Sequence, residues 1–217
     1  MRPYAAGVEI IQEDFLKVDL DRILSSEGSG GAHSGAPLPG RWRCVANLPY
    51  SITGPAVLRL LASAAWFDRM VVMVQQEVAE RLLAPPGGRA RGLLTVLAEA
   101  RCVISTAGAV SRRCFFPQPK VDSTILVFEP RHPSLVPAHA QEAFESMVKA
   151  AFSTRRKMLS NALAHRPGLG LSKEAAAALV SQSGIDPNRR AESLSAQEFL
   201  SIANRFIEMK ATTEPQS

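Results

Sequence analysis

The sequence predicts an α/β domain followed by a small all-helical domain. Between residues 43 and 128, short apolar runs alternate with segments whose apolar residues recur at helical spacing, a pattern typical of layered α/β folds. After a Pro-containing linker at residues 129–133, the apolar residues recur only at helical spacing, with Pro and Gly between segments. We therefore place the first domain at residues 1–130, the helical domain at residues 131–210 and a tail at residues 211–217.

Each element is predicted from its local pattern. Strands are expected at residues 8–12, 43–46, 69–75, 102–106 and 121–128. Helices are expected at residues 15–24, 54–64, 77–84, 93–101, 138–152, 156–164, 173–183 and 196–209. The alternation predicts a mostly parallel sheet whose last two strands form an antiparallel hairpin. Residues 25–40, rich in Gly, Ser, Ala and Pro without periodicity, are predicted to be a disordered insertion.

The composition favours a polyanionic partner and a reducing compartment. The 217 residues include 25 basic and 20 acidic side chains, a net charge of +5 that suits nucleic acid but also occurs in many other soluble proteins. The three cysteines lack zinc-pair spacing, and their odd number argues against a disulfide framework, so we expect an intracellular protein. The four histidines form no spaced ligand set, so we predict no metal site, and no apolar run is long enough to cross a membrane.

The motif Asn47-Leu48-Pro49-Tyr50 has the residue types of a pocket for a flipped adenine. The exocyclic amine of adenine is a poor nucleophile, so an enzyme that alkylates it must accept its hydrogens. The Asn47 side-chain oxygen and the Leu48 backbone carbonyl could act as these acceptors, and Tyr50 could stack on the base. Pro49 restrains the backbone around them. The motif alone is equally compatible with a plain turn.

Five blocks extend this observation over most of the chain. They are Asn-Leu-Pro-Tyr at 47–50, Val-Gln-Gln-Glu-Val-Ala-Glu-Arg-Leu at 74–82, Phe-Phe-Pro-Gln-Pro-Lys-Val-Asp-Ser at 115–123, Ala-Phe-Ser-Thr-Arg-Arg-Lys-Met-Leu at 151–159 and Gly-Ile-Asp-Pro-Asn-Arg-Arg-Ala-Glu at 184–192. With these blocks the sequence resembles the ribosomal RNA adenine dimethyltransferases, specifically the branch that dimethylates two neighbouring adenines of small-subunit RNA. The resemblance implies a Rossmann-like S-adenosylmethionine-dependent methyltransferase domain, a helical RNA-binding domain and a monomer that acts on the pre-ribosomal small subunit.

The resemblance also implies roles for individual residues. Asp14 would accept a hydrogen bond from the adenine amine of S-adenosylmethionine, and Phe15 would lie against that adenine. Asn47 would touch both the cofactor and the target amine, whereas Tyr50 and Phe115 would sandwich the flipped base. The alternative role for Asp14 is a helix N-cap.

The remaining assignments concern the loop that contains Phe115 and the helical domain. Phe116 is the alternative to Phe115, and a Phe-Phe pair before Pro can also be hydrophobic filling of a loop. Lys120 and Asp122 are expected to fix this loop to the sheet edge. Between residues 149 and 190 there are eight basic and two acidic residues. The candidate RNA contacts in this segment are Arg155, Arg156, Lys157, Arg189 and Arg190, each of which is alternatively a solvated surface charge.

The sequence departs from the family pattern at its beginning. The family opens with a strand that runs into a Gly-x-Gly-x-Gly loop and a second strand that ends in an acidic residue for the ribose hydroxyls. Neither has a counterpart here, and the glycines at residues 28–31 and 168–170 stand in contexts that do not replace the loop. We therefore expect an N-terminally incomplete chain or, alternatively, a natural short form. In either case we expect this chain by itself to bind S-adenosylmethionine weakly or not at all and to be inactive.

Two other functions remain open at this point. A non-enzymatic RNA-binding factor for ribosome assembly or organelle transcription would keep the fold and the basic surface without a working cofactor site. The antibiotic-resistance branch, which methylates large-subunit RNA, is a third possibility, although the block at residues 184–192 favours the small-subunit branch. The expected compartment is the plastid stroma or the bacterial cytoplasm.

Overall fold

The computed structural model describes residues 10–26, 42–154 and 157–213, and within these ranges four strands form one sheet. The strands are β1 (Trp42–Asn47), β2 (Phe67–Gln75), β3 (Cys102–Val110) and β4 (Ser123–Pro130). Their order across the sheet is β1-β2-β4-β3. β1 pairs with β2 in parallel, and β4 lies antiparallel to both β2 and β3.

The helices follow the strands in the expected order. They are α1 (Leu20–Ser26), α2 (Thr53–Ala62), α3 (Gln76–Leu82), α4 (Leu93–Arg101), α5 (Gln141–Ala151), α6 (Leu159–Ala164), α7 (Lys173–Gln182) and α8 (Ala196–Thr213). None of the helices in the described ranges is both long and apolar enough to cross a bilayer.

The register of the sheet gathers several chain segments at one edge. Asn47 at the end of β1 lies opposite Met73 in β2, and Gln75 at the end of β2 lies opposite Ser123 at the start of β4. Val110 at the end of β3 also pairs with Ser123. Consequently, the segment after β1 and the loop between β3 and β4 leave the sheet on the same side. This is the edge at which α/β sheets bind their ligands.

Two hydrophobic clusters hold the chain together, and α4 belongs to both. The first lies between the sheet and α2 to α4, where Met70, Val72 and Phe128 are buried. The second joins α5 to α8. Within α4, Leu94 and Ala98 pack in the first cluster, whereas Val96, Leu97 and Ala100 pack in the second. The division at residue 130 remains a prediction, since the hydrophobic packing continues across it.

Several sequence-based predictions of local structure are wrong. Residues 10–12 form no strand and their side chains are exposed, whereas residues 8 and 9 lie outside the described residues. α1 begins at Leu20, five residues later than expected, because the backbone carbonyl of Asp14 instead closes a turn with the N–H groups of Lys17 and Val18. Ser25 and Ser26 end α1, so the first two residues of the predicted insertion are helical, and residues 27–40 lie outside the described part.

The sheet also differs from the prediction. Among the described strands one pair is parallel and two pairs are antiparallel, so the expectation of a mostly parallel sheet is wrong for them, while the antiparallel β3–β4 hairpin is confirmed. β3 continues to Val110 rather than ending at Thr106, since it stays paired with β4 beyond a register shift between Thr106 and Gly108. The shift is a local irregularity of the ladder beside Gly108, a residue type that often marks such sites within strands.

A buried arginine ties the two clusters together. The Arg91 side chain is 1% exposed and forms an ion pair with Glu99 of α4. Its Nη1 donates to the carbonyl of Ala84 at 2.9 Å, and its Nε donates to the carbonyl of Leu194 at 2.9 Å. The Ala196 N–H at the start of α8 donates to the other Glu99 oxygen at 3.2 Å. A single buried ion pair thus links the α3–α4 loop, α4 and α8.

A second ion-pair cluster joins α4 to α5. Arg101 of α4 donates to the Glu145 carboxylate at 2.8 Å, and Gln141 and Lys149 donate to it at 2.9 and 3.0 Å. Burial by itself would raise the pKa of Glu145, but these hydrogen bonds outweigh it and lower the pKa to about 2.

We expect Arg91→Ala to lower the free energy of unfolding by about 3–5 kcal/mol, because it leaves Glu99 and two carbonyls without their partner. Urea denaturation at neutral pH measures this loss. Arg89→Ala is the matched control, because Arg89 is exposed in the same loop, and it should change stability by less than about 0.5 kcal/mol. Equal stabilities of the two variants would contradict the structural role of Arg91.

We expect Glu145→Gln to lower the free energy of unfolding by about 1 kcal/mol at pH 7, a value reduced for solvent screening. Because the folded-state pKa of about 2 lies below the ordinary value of 4.5, the carboxylate stabilises the fold fully above about pH 4.5 and loses this contribution as pH falls toward 2. Urea titrations at several pH values should therefore show the two proteins converging in acid. A constant difference down to pH 2 would be the contrary result.

Candidate active site

A cleft of about 330 Å³ opens at the edge of the sheet where β1 ends. Two chain segments form its walls, the turn that follows β1 and the loop between β3 and β4. Its lining residues are Asn47, Leu48, Pro49, Tyr50, Phe115, Phe116, Pro117 and Pro119. The structure therefore brings together all five residues that were predicted to handle the target base, although 68 positions of sequence separate Asn47 from Phe115.

The turn after β1 is held by its own backbone and by one side chain buried in the first cluster. The side chain of Leu48 is buried, which anchors the motif. The carbonyl of Pro49 accepts hydrogen bonds from the Ile52 N–H and from the Thr53 hydroxyl, both at 3.1 Å. The Tyr50 hydroxyl shares a 2.8 Å hydrogen bond with the hydroxyl of Ser123 at the start of β4. The Tyr50 ring is thereby positioned at the cleft.

Asn47 differs from its neighbours in the surroundings of its side-chain amide. The side chain is exposed at the end of β1 and has no hydrogen-bond partner among the described residues. A free amide at the rim of a cleft presents one acceptor oxygen and two N–H donors to a ligand. The position therefore suits recognition of a group that, like an exocyclic amine, carries hydrogens to donate.

The loop at residues 111–122 is fastened to the sheet edge as predicted. The Asp122 carboxylate accepts from the backbone N–H of Arg112 at 2.9 Å, and the Asp122 carbonyl accepts from the Gln76 N–H at 3.0 Å. Lys120 takes part through its carbonyl, which accepts from Arg112 Nη1 at 2.9 Å. Sequence reasoning missed Arg112, whose side chain closes the loop, because an exposed arginine carries no local signal of such a role.

The two phenylalanines of the loop have different environments. Phe115 is half-buried, whereas Phe116 is fully exposed, and both line the cleft. The backbone N–H of Phe115 donates to the carbonyl of Arg112 at 3.3 Å. Phe115 is therefore the ring held within the wall of the cleft, and Phe116 stands at its rim.

The predicted cofactor contacts Asp14 and Phe15 lie on a separate turn and do not line the cleft. The Asp14 carboxylate accepts from the Leu16 N–H at 2.9 Å and so caps a turn. The alternative prediction of a helix N-cap is wrong, because α1 begins only at Leu20. Phe15 packs against the first hydrophobic cluster. Arg59 of α2 fixes the turn by donating to the carbonyl of Leu16 at 3.0 Å, a contact that the sequence did not indicate. Cofactor binding by Asp14 and Phe15 stays a prediction.

The candidate RNA contacts divide into three groups. Arg155 and Arg156 lie outside the described residues. Lys157 and Arg190 have exposed side chains that form no hydrogen bond or ion pair with described residues. Arg189, by contrast, is bonded within the helical domain.

The partners of the Arg189 guanidinium are Glu198 and Ser193. The guanidinium pairs with the Glu198 carboxylate and donates to the Ser193 carbonyl at 2.6 Å. Partial burial works against ionisation of Glu198, yet hydrogen bonds from Arg189 and Ser195 hold its pKa below the usual value. The Arg189 side chain thus connects the residue 186–193 segment to α8, and RNA contact by Arg189 stays a prediction.

Two of the three cysteines are held as protonated thiols. Cys44, Cys102 and Cys114 are free. Burial raises the pKa of Cys44, and it raises the pKa of Cys102 to about 12, so both thiols stay protonated at neutral pH.

Comparison with known proteins agrees with this geometry. The family model described as "Ribosomal RNA adenine dimethylase" matches residues 4–208. The chain is 42% identical over 204 residues to the ribosomal RNA small subunit methyltransferase A of Pelotomaculum thermopropionicum, covering 94% of this chain and 68% of that protein. The protein of the same name from Geobacter metallireducens is 38% identical over 200 residues, covering 92% of this chain and 69% of that protein. The chain thus spans about two thirds of the length of these relatives.

A solved structure shares the fold. The crystal structure of a dimethyladenosine transferase from Plasmodium falciparum superposes with a TM-score of 0.69 at 24% sequence identity, over 83% of this chain and 72% of that one. The family model, the two curated relatives and this fold agree with one another. The chain belongs to the ribosomal RNA adenine dimethylase family.

Proposed function

We propose that this chain uses S-adenosylmethionine to dimethylate the exocyclic amines of two adjacent adenines in small-subunit ribosomal RNA. The observation that supports this function best is the free Asn47 amide at a cleft whose walls include Tyr50 and Phe115. Membership of the adenine dimethylase family gives the reaction, and the names of the curated relatives favour the small-subunit branch over the large-subunit branch.

The cleft residues act on the amine by position. The Asn47 oxygen accepts one N–H of the adenine amine, which turns the nitrogen lone pair away from the ring and toward the methyl donor. Tyr50, held by Ser123, and Phe115 stack on the two faces of the base, and each stacking contact is worth about 1–3 kcal/mol. No acidic side chain and no histidine lines the cleft among the described residues, so orientation rather than general base catalysis is the contribution of the protein.

The chemistry that the cofactor supplies is an activated methyl group. S-adenosylmethionine would supply a methyl group on a sulfonium for transfer to the adenine nitrogen, with Asp14 and Phe15 at its adenine and Asn47 at its methionine end. The cleft of about 330 Å³ is at the low end of the 300–1,000 Å³ usual for ligand pockets, and it suits a base.

Asp14, which is proposed to bind the cofactor, uses only part of its hydrogen-bonding capacity within the described residues. One Asp14 oxygen accepts the Leu16 N–H, whereas the other faces the exposed Lys17 ammonium at 3.7 Å. That second oxygen is available to accept an adenine amine, so Asp14 fits the adenine end of the cofactor. The glycine-rich loop and the acidic residue for the ribose hydroxyls have no counterpart in the sequence. Asn47 at the cleft would meet the methionine end.

The proposed partner is the pre-ribosomal small subunit. Lys157 and Arg190 are the described candidates for phosphate contacts, and we leave Arg189 out because its guanidinium is already paired. The curated relatives compared above are bacterial, which supports a bacterial cytoplasm and gives the plastid alternative no support. We propose a monomer.

The decisive assay is transfer of labelled methyl groups from S-adenosylmethionine to small ribosomal subunits that lack them. The proposed function requires four methyl groups per subunit, two on each adenine of the pair. Binding of the subunits without any transfer at saturating cofactor would instead identify a non-enzymatic assembly factor.

We expect Asn47→Ala to lower kcat by about 100-fold or more, because a misplaced amine loses the near-attack geometry, while affinity for RNA is retained. Single-turnover methyl transfer measures the effect. Gln118→Ala is the matched control, since Gln118 is an exposed amide in the loop at residues 111–122 that does not line the cleft. Wild-type rates in Asn47→Ala would remove this residue from the reaction.

Alanine substitutions of the adjacent residues Arg189 and Arg190 should have different effects. Arg190→Ala is expected to weaken RNA binding and to reduce the slope of log K against log salt by about 0.7–0.9, because one phosphate contact is lost. Arg189→Ala is expected to lower the free energy of unfolding by about 1–3 kcal/mol, because Glu198 loses its partner. Salt-dependent binding and urea denaturation of both variants test this, and the reverse pattern would contradict it.

A further inference from the structure

We propose that Phe116 and the unpaired basic side chains of its loop form a second base-binding platform, which holds the nucleotide next to the target adenine. This inference rests on the proposed function, since it presupposes an RNA base in the cleft. It assigns to Phe116 a contact that is separate from the stacking by Tyr50 and Phe115.

Phe116 is unusual because a large apolar ring stands fully in solvent. It lines the cleft but belongs to neither hydrophobic cluster of the described residues. Leaving a phenylalanine side chain in water forgoes the stabilisation that burial would bring, so its exposure contributes nothing to the fold. A ring in this state is available for contact with a partner.

The loop holds the ring outward rather than letting it collapse. Arg112 bonds to both Asp122 and the Lys120 carbonyl, which closes the loop at residues 111–122. Pro117 and Pro119 follow Phe116 and restrict the backbone, because proline fixes its own φ and limits the residue before it. The exposed aromatic face is therefore preorganised, and binding to it costs little conformational entropy.

The charges around Phe116 favour RNA over a protein partner. Arg113 and Lys120 are exposed, and their side chains form no hydrogen bond or ion pair with the residues that the structure describes. An exposed aromatic ring on the same loop as such cations is typical of surfaces that bind single-stranded nucleic acid, where bases stack on the ring and cations contact phosphates. A protein hot spot would instead be surrounded by apolar neighbours.

The position of Phe116 determines which nucleotide it meets. Phe115 and Phe116 are consecutive and line the same cleft, one in its wall and one at its rim. When the target base turns into the cleft, the nucleotide beside it loses its stacking neighbour. Phe116 offers that nucleotide a new stacking surface. For a substrate with two adjacent adenines, the platform holds one adenine while the other is methylated.

The test uses the whole chain and a short single-stranded RNA with two adjacent adenines, one of them replaced by 2-aminopurine, whose fluorescence falls when it stacks. We expect wild-type protein to quench the probe. Phe116→Ala should weaken binding about tenfold and abolish the quenching, and Phe116→Trp should restore both. Val103→Ala, which truncates another exposed apolar side chain away from the cleft, is the matched control and should behave as wild type.

The outcomes separate this inference from the proposed function. Equal affinity and quenching in Phe116→Ala and wild type would overturn the platform while leaving methyl transfer untouched. Equal quenching of a 2-aminopurine placed far from the adenine pair would also overturn the platform, because stacking on Phe116 would then not depend on the position of the base in the RNA. Weaker binding of Phe116→Ala to assembled small subunits but not to the RNA would assign Phe116 to a protein contact instead. Absence of methyl transfer by wild-type protein to which S-adenosylmethionine is shown to be bound would reject the proposed function itself.

Discussion

The antiparallel pairing of β4 with both β2 and β3 is the constraint on which the site depends. Because β4 runs between them, the chain must leave β3 and re-enter the sheet at the edge where β1 and β2 end. The loop at residues 111–122 is thereby brought opposite the turn after β1. Ser123, the first residue of β4, completes the arrangement by bonding the Tyr50 hydroxyl. Without this strand order, the two walls of the cleft would not meet.

The second structural constraint is that the helical domain shares α4 with the first hydrophobic cluster. Arg91 and Glu99 add buried polar bonds from the α3–α4 loop to the start of α8, and Arg101 and Glu145 add a bond from α4 to α5. Buried ion pairs of this kind are costly to separate, so they resist changes in the relative position of the elements that they join. The helical domain is consequently held at a fixed position relative to the cleft. Binding of one RNA by the helical domain and the cleft together would require this.

The groups that we propose to contact RNA are polar and aromatic side chains without partners among the described residues. Arg189 and Arg190 are adjacent and chemically identical, yet one is paired with Glu198 and the other is exposed. Asn47 and Phe116 are likewise unengaged, whereas Leu48 and Phe115 are held in place by burial or by backbone bonds. Groups that have no partner among the described residues are available to a ligand, and two of them, Asn47 and Phe116, line the same cleft.

Apolar periodicity and short motifs are local properties of the chain, so they were sufficient to predict the order of elements from β1 onward and the family. They also predicted that Phe115 and the Asn47–Tyr50 motif belong to one site. The position of β4 between two antiparallel neighbours, the register shift in β3, the late start of α1 and the ion pair between Arg189 and Glu198 became known only from the tertiary structure. These depend on partners distant in sequence or on competition between backbone hydrogen bonds. A sequence pattern of a few residues does not specify which of several possible partners a group contacts in the folded chain.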